Sequence, residues 1–237
     1  MDCRIHQKGV SCWLLAFGFW LLAQPANSQQ LTAKSINWRD SLATLQKEIA
    51  RQPWSTDLHL RKAAVNLELA QWQYAIDEYG LILERDVQNP AALYYRGYAH
   101  TQLRHYDMAR RDYEELLSIF PRHTEARMAL SYVLQLQGRQ AEALDQLNQL
   151  VEQRPDSAVV YAMRAALERD MKQYEASRYD WQQASRLEPK NVDYVVSQVD
   201  VCLLLGRKKE ARRLLDAAVK SGVPRGVLLS WYEKCKR

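Results

Sequence analysis

The sequence predicts an all-α solenoid with a capping helix at each end. Three observations predict it. Alanine or serine recurs every 34 residues, at Ala75, Ala109, Ala143, Ser177 and Ala211, and four residues further on stand Tyr79, Tyr113, Leu147, Trp181 and Leu215. Helically spaced apolar stripes flank the periodic block on both sides. No strand alternation, low-complexity tract or long linker interrupts it. Self-similarity at a fixed period marks a repeat architecture, in which each unit stacks on the next to bury its apolar face.

Residues 1–28 read as a signal peptide. Arg4 and Lys8 give a basic start, Val10 to Ala23 is an uncharged, mostly apolar run of 14 residues, and Ala26 and Ser28 supply small residues for cleavage before Gln29. The run is short of the roughly 20 residues a spanning helix needs. Cleavage and export to the periplasm or the cell exterior are therefore expected, with membrane anchoring through residues 10–23 as the alternative. Residues 29–55 hold a linker and an N-terminal capping helix over 37–51, where Trp38, Leu42, Leu45 and Ile49 form one stripe. Ser35 or Asn37 could cap its start, and Pro53 falls in phase with the later prolines.

Five units follow without a gap: 56–89, 90–123, 124–157, 158–191 and 192–225. Pro121, Pro155 and Pro189 punctuate three of them, since proline lacks an N–H and disfavours helix at the preceding residue. The first unit has Val87 in that place, and the fifth has Pro224 one position late, so both exits are expected to depart from the rule. Residues 226–237 are expected to form a closing helix through Val227, Leu228, Trp231, Tyr232 and Cys235. Lys234, Lys236 and Arg237 suit its C-terminal dipole.

The units resemble the tetratricopeptide repeat, over 170 of the 237 residues. That resemblance implies a right-handed superhelix of antiparallel helix pairs. The family keeps small residues at positions 8, 20 and 27 of the unit. Here position 8 reads Ala63, Gly97, Ser131, Ala165 and Val199. Small residues let two helices approach closely, and a large one at position 24 fills the space between neighbours.

The resemblance also implies where ligands bind. First helices line a concave groove, chiefly through positions 2, 5, 9, 12 and 13. Positions 5 and 9 place Leu60, Tyr94, Tyr98, Met128 and Tyr132 there. Tyrosine offers an apolar face with a polar tip, and methionine adapts its shape. The expected partner is a protein or peptide segment. The family's clamp for a C-terminal carboxylate is excluded, because Leu60, Ala64, Tyr95, Glu125 and Ala129 stand where its lysines, asparagines and arginine belong.

Position 7 is basic where position 23 is acidic: Lys62 with Glu78, Arg96 with Asp112, Arg164 with Asp180. Units three and five lose both members together, to Leu130 and Gln146, then to Gln198 and Leu214. This co-variation within one chain predicts an ion pair between the two helices of each of three units. Such pairs fix geometry more than they add stability.

Composition narrows the function. Without residues 1–28 the chain keeps 31 basic and 27 acidic residues, a net charge of +4. The signs are interspersed, which disfavours a nucleic-acid partner. The five histidines form no ligand-spaced set, and no GxSxG, GxxxxGK[ST] or GxGxxG stands in the chain, so metal, cofactor and catalysis are not expected. Cys202 and Cys235 remain in the mature chain as a candidate disulfide, against free thiols. The leading expectation is an exported, non-enzymatic interaction scaffold in a cell-envelope assembly. The alternatives are a structural subunit that uses its convex or capping surfaces, and a glycan- or glycopeptide-binding solenoid.

Overall fold

A computed structural model describes residues 38–236. The signal-peptide reading and the linker reading over 29–37 lie outside these residues. The N-terminal capping helix is α1 (Trp38–Arg51), and its expected first residue, 37, lies outside the described residues. Five helix pairs follow: α2 (Thr56–Glu68) with α3 (Trp72–Leu83), α4 (Pro90–Gln102) with α5 (Tyr106–Ile119), and α6 (Thr124–Leu136) with α7 (Gln140–Gln153). Then come α8 (Ala158–Asp170) with α9 (Tyr174–Leu187), and α10 (Val192–Leu204) with α11 (Lys208–Lys220). A 3₁₀ turn over Arg225–Leu228 leads into α12 (Leu229–Lys236), so the closing helix starts three residues later than expected. No strand occurs among the described residues.

Local chemistry repeats with the period. The residue before each first helix is Ser55, Asn89, His123, Ser157 or Asn191, and all but Ser157 accept a backbone N–H through the side chain. Each such cap satisfies one orphan donor of the first turn. The turn inside every pair uses one left-handed residue, always at position 15: Ala70, Arg104, Gly138, Lys172 and Gly206. The next N–H closes back on the first helix, as in Gln71 N to Asn66 O at 2.8 Å and Arg207 N to Cys202 O at 2.8 Å. A side chain at positive φ costs about 1 kcal/mol relative to glycine. Ala70→Gly is accordingly expected to raise stability by up to about 1 kcal/mol, and Gly206→Ala to lower it by a similar amount. Chemical denaturation of the two variants checks both signs.

The period's small residues are the packing contacts. Ala63, Ala75, Ala109, Ala143, Ser177 and Ala211 are all fully buried. Opposite them Tyr79, Tyr113, Leu147, Trp181 and Leu215 fill the space between helices and are buried to 2% exposure or less. Leu45 of α1 packs with Leu58 and Val65, and Trp38, Leu42 and Ile49 flank the contact. At the other end Leu228 and Tyr232 join Val199, Cys202 and Leu215 in one cluster.

Irregularity falls where the proline pattern fails. Second helices α5, α7 and α9 run 14 residues up to the residue before an extended, pre-proline cap. Helix α3, followed by Val87 instead, stops after 12 residues, and Val87 is 59% exposed. After α11, Gly222 at φ +104 turns the chain and Pro224 opens the 3₁₀ segment.

Candidate functional site: a tyrosine-lined inner face

First helices α4 and α6 touch each other directly, whereas no two second helices of neighbouring pairs meet to that extent. The first helices therefore form the inner side of this part of the stack. Leu60, Tyr94, Tyr98, Met128 and Tyr132 all sit on these helices and all are half-buried. They are not equivalent. Leu60, Tyr94 and Met128 pack against the main core. Tyr94 is enclosed on several sides. Its ring stacks on His123 at 5.7 Å and 22° and meets Tyr95 edge-on at 5.1 Å. His123 is itself the cap of α6, its Nδ1 accepting from the Ala126 N–H at 3.2 Å. Burial first, then Tyr95 and Glu125, push the Tyr94 phenol up to about 12. Tyr94 therefore also steadies the entry to α6.

Tyr98 and Tyr132 are less enclosed, and they share a register. Tyr98 sets its ring edge-on to Trp72 of the preceding pair, with centroids 6.0 Å apart at 79°. Tyr132 lies within electrostatic reach of Tyr106, the corresponding residue of the next pair. Position 9 thus meets position 17 of the preceding unit at Tyr98 and lies near it at Tyr132. Ala166 against Gln140 ends the series. The Tyr98 phenol is raised by burial and by the Glu68 carboxylate, so a negative charge borders the patch. Sequence spacing had not joined Trp72 and Tyr106 to this surface, since position 17 opens the second helix of its own unit.

The three inter-helix pairs are closed. Lys62 Nζ lies 2.5 Å from Glu78, Arg96 grips Asp112 through two nitrogens at 2.6 and 3.0 Å, and Arg164 holds Asp180 at 2.5 and 2.9 Å. All three carboxylates are buried. Burial raises the Asp112 carboxyl even though Arg96 works against it. Two of the pairs carry unanticipated members. His59 Nδ1 meets the second Glu78 oxygen at 2.6 Å, while its Nε2 contacts the Pro53 carbonyl at 3.0 Å. Glu168, one turn beyond Arg164, is buried and stands 4.0 Å from its Nε. Burial first and Asp180 second raise the Glu168 carboxyl to about 7. In the third unit Arg127 replaces the missing pair, donating to Gln146 at 2.7 Å, to Gln149 and to the Pro121 carbonyl at 2.6 Å. His59 and Arg127 share position 4, where an apolar residue is the rule, so the pattern hid their role.

Cys202 and Cys235 both enter the C-terminal cluster but remain free thiols, so the candidate disulfide is not formed. Burial raises both thiols. Among the described residues no group of three His, Cys, Asp or Glu could hold a metal ion, and no helix is long and apolar enough to cross a membrane.

Comparison with known proteins places the architecture. Tetratricopeptide repeat family profiles match residues 101–167 and 162–224. Human peptidyl-prolyl cis-trans isomerase FKBP4 is 28% identical over 109 residues, 45% of this chain and 24% of that protein. The chain thus spans about a quarter of the length of that relative. Among solved structures, Pseudomonas aeruginosa pilF superposes with a TM-score of 0.64 at 17% identity, covering 84% of this chain and 89% of its own. YrrB, described as a repeat protein with an unusual peptide-binding site, superposes at 0.61 with 16% identity over 76% of this chain and 92% of its own. Identities this low speak to the fold alone. With the profile matches, the 34-residue packing register and five helix pairs in agreement, the chain belongs to the tetratricopeptide repeat family.

Proposed function

We propose that the protein is an exported, non-enzymatic scaffold that holds a segment of a partner protein along its inner face, within a cell-envelope assembly. Repeat scaffolds of this family bind protein or peptide partners. The observation that carries the reading is the edge-on contact of Tyr98 with Trp72, with Tyr132 placed in the same register near Tyr106. It presents amphipathic rings, half-buried and held by their neighbours, along consecutive first helices. Aromatic side chains held in place supply contact area at little further entropic cost, which is why they dominate interface energetics. Export rests on the basic start, the apolar run and the small residues of 1–28.

A double substitution, Tyr98→Ala with Tyr132→Ala, is expected to abolish capture of the native partner in crosslinking from intact cells. Because both rings are only half-buried, the melting temperature should fall by no more than several degrees. Undiminished capture by the double variant would move the binding surface elsewhere. The second reading, a subunit docking through its outer face, has its own support. Tyr74 and Met108 occupy the same position on α3 and α5 and are 65% and 47% exposed. Crosslinks mapped to these residues would favour it.

A further inference from the structure

We propose that the C-terminal end of the solenoid, built from the end of α10, α11 and α12, is a docking face for an anionic lipid bilayer. Charge in this chain is divided by position. Residues 29–206 carry a net −3, whereas residues 207–237 carry ten basic and three acidic residues, a net +7. Such asymmetry points to a polyanionic partner.

The cations form a connected surface. Lys208 and Lys234 line one shallow cleft with Leu204. Lys208 and Arg212 both act on the Cys235 thiol, and Arg212 and Arg225 both act on the Tyr232 phenol. Among the described residues neither Lys208 nor Arg212 has a carboxylate within ion-pair distance. Lys234 and Arg225 instead lie over the rings of Trp231 and Tyr232, at 3.7 and 5.0 Å. Two carboxylates, Asp200 in the cleft and Asp216 bonded to the Tyr232 hydroxyl at 2.7 Å, leave the surface cationic. Further round α11, Lys209, Arg213 and Lys220 are exposed, again with no ion-pair partner among the described residues. Elsewhere arginines pair across the turns, as Arg139 does with Glu142 and Arg207 with Glu175.

Apolar groups in the same terminal unit favour lipid over nucleic acid. Leu204, Val227 and Leu229 are 51%, 58% and 55% exposed. A cationic face alone serves any polyanion. Leu204 inside the cationic cleft, with Val227 and Leu229 exposed in the same terminal unit, adds the second signal that lasting contact with a bilayer requires, and a phosphate backbone has no use for them.

The test uses residues 29–237. The core clusters of the described residues lie within this span, which holds the compact unit 38–237, so the test omits residues 1–28, whose apolar run would itself bind vesicles. Sedimentation with vesicles about one third phosphatidylglycerol should carry the protein down, and pure phosphatidylcholine vesicles should not. The variant K208E/R212E/K234E should bind at least about tenfold more weakly, and V227S/L229S several-fold more weakly. The control R122E/R186E/K190E, reversed elsewhere on the solenoid, should bind as the wild type does. Circular dichroism confirms that each variant is folded. Equal binding to neutral vesicles, no binding to either, or full retention by folded K208E/R212E/K234E would each overturn the proposal. Preference for short duplex DNA over the anionic vesicles would overturn it in favour of a nucleic-acid face.

Discussion

Replacing Arg164 by leucine is expected to destabilise the protein by about 3–5 kcal/mol at pH 8. Arg164 is the cation shared by two buried carboxylates, Asp180 and Glu168, and it also donates to Asn148 at 3.0 Å. Without it, two negative charges remain out of water with no counter-ion. The loss should depend on pH in a stated direction. Glu168 has a folded-state value near 7, above the ordinary 4.5. Its ionisation therefore costs stability as pH rises from about 4.5 through 7, because the folded state binds the proton more tightly. Removing Arg164 takes away the one influence that lowers this value, so the penalty should be greatest at pH 8 and shrink towards pH 5. The triple variant R164L/E168L/D180L, which removes every charge together, should recover most of the loss. The third unit already carries leucine at the first two of these positions, Leu130 and Leu134. Urea denaturation at the two pH values decides the matter. A deficit of the same size at both, or a triple variant no better than R164L, would refute this role for Arg164.

Gly97→Ala should destabilise the protein by about 1–3 kcal/mol, against the helix-propensity trend. In an exposed helix the same change gains up to about 1 kcal/mol. Here an added Cβ would lie 2.8 Å from Tyr113 Cε1 and 3.0 Å from Cζ. Tyr113 is 2% exposed and cannot swing aside without disturbing the core. Gly80 provides the internal control, because a Cβ there meets nothing within 4 Å. Gly80→Ala should stabilise while Gly97→Ala destabilises, and thermal unfolding of the two variants reads the opposite signs. A G97A protein as stable as the wild type would mean that the α4–α5 contact is looser than described.

The 34-residue recurrence made the helix pairs, their packing faces and the three charge pairs legible, because each depends on one residue type returning at one register. Val87 and Pro224 likewise marked the two irregular exits. What stayed hidden depends on contacts between registers. Tyr94 reads as a groove residue from its position, and its stacking on the capping histidine of the next helix has no sign in that register. Trp72 and Tyr106 reach the inner face only through the following unit. His59 and Arg127 look like exceptions at an apolar position, and their hydrogen bonds to the proline carbonyls at 53 and 121 explain why they are tolerated. Glu168 gives no signal in sequence, since its environment comes from Arg164 and from Asp180 on the partner helix. The left-handed residue at position 15 is glycine in only two of five units, so composition could not mark it.

The central claim is that the inner face carries the partner. Site-specific photocrosslinking in living cells tests it most directly, with p-benzoylphenylalanine placed in turn at positions 98, 132, 74 and 179. Tyr98 and Tyr132 lie on first helices, whereas Tyr74 and Tyr179 project from second helices at 65% and 55% exposure. Adducts of one partner from positions 98 and 132, and none from 74 and 179, are the predicted result. Adducts from 74 or 179 with none from 98 and 132 would contradict it.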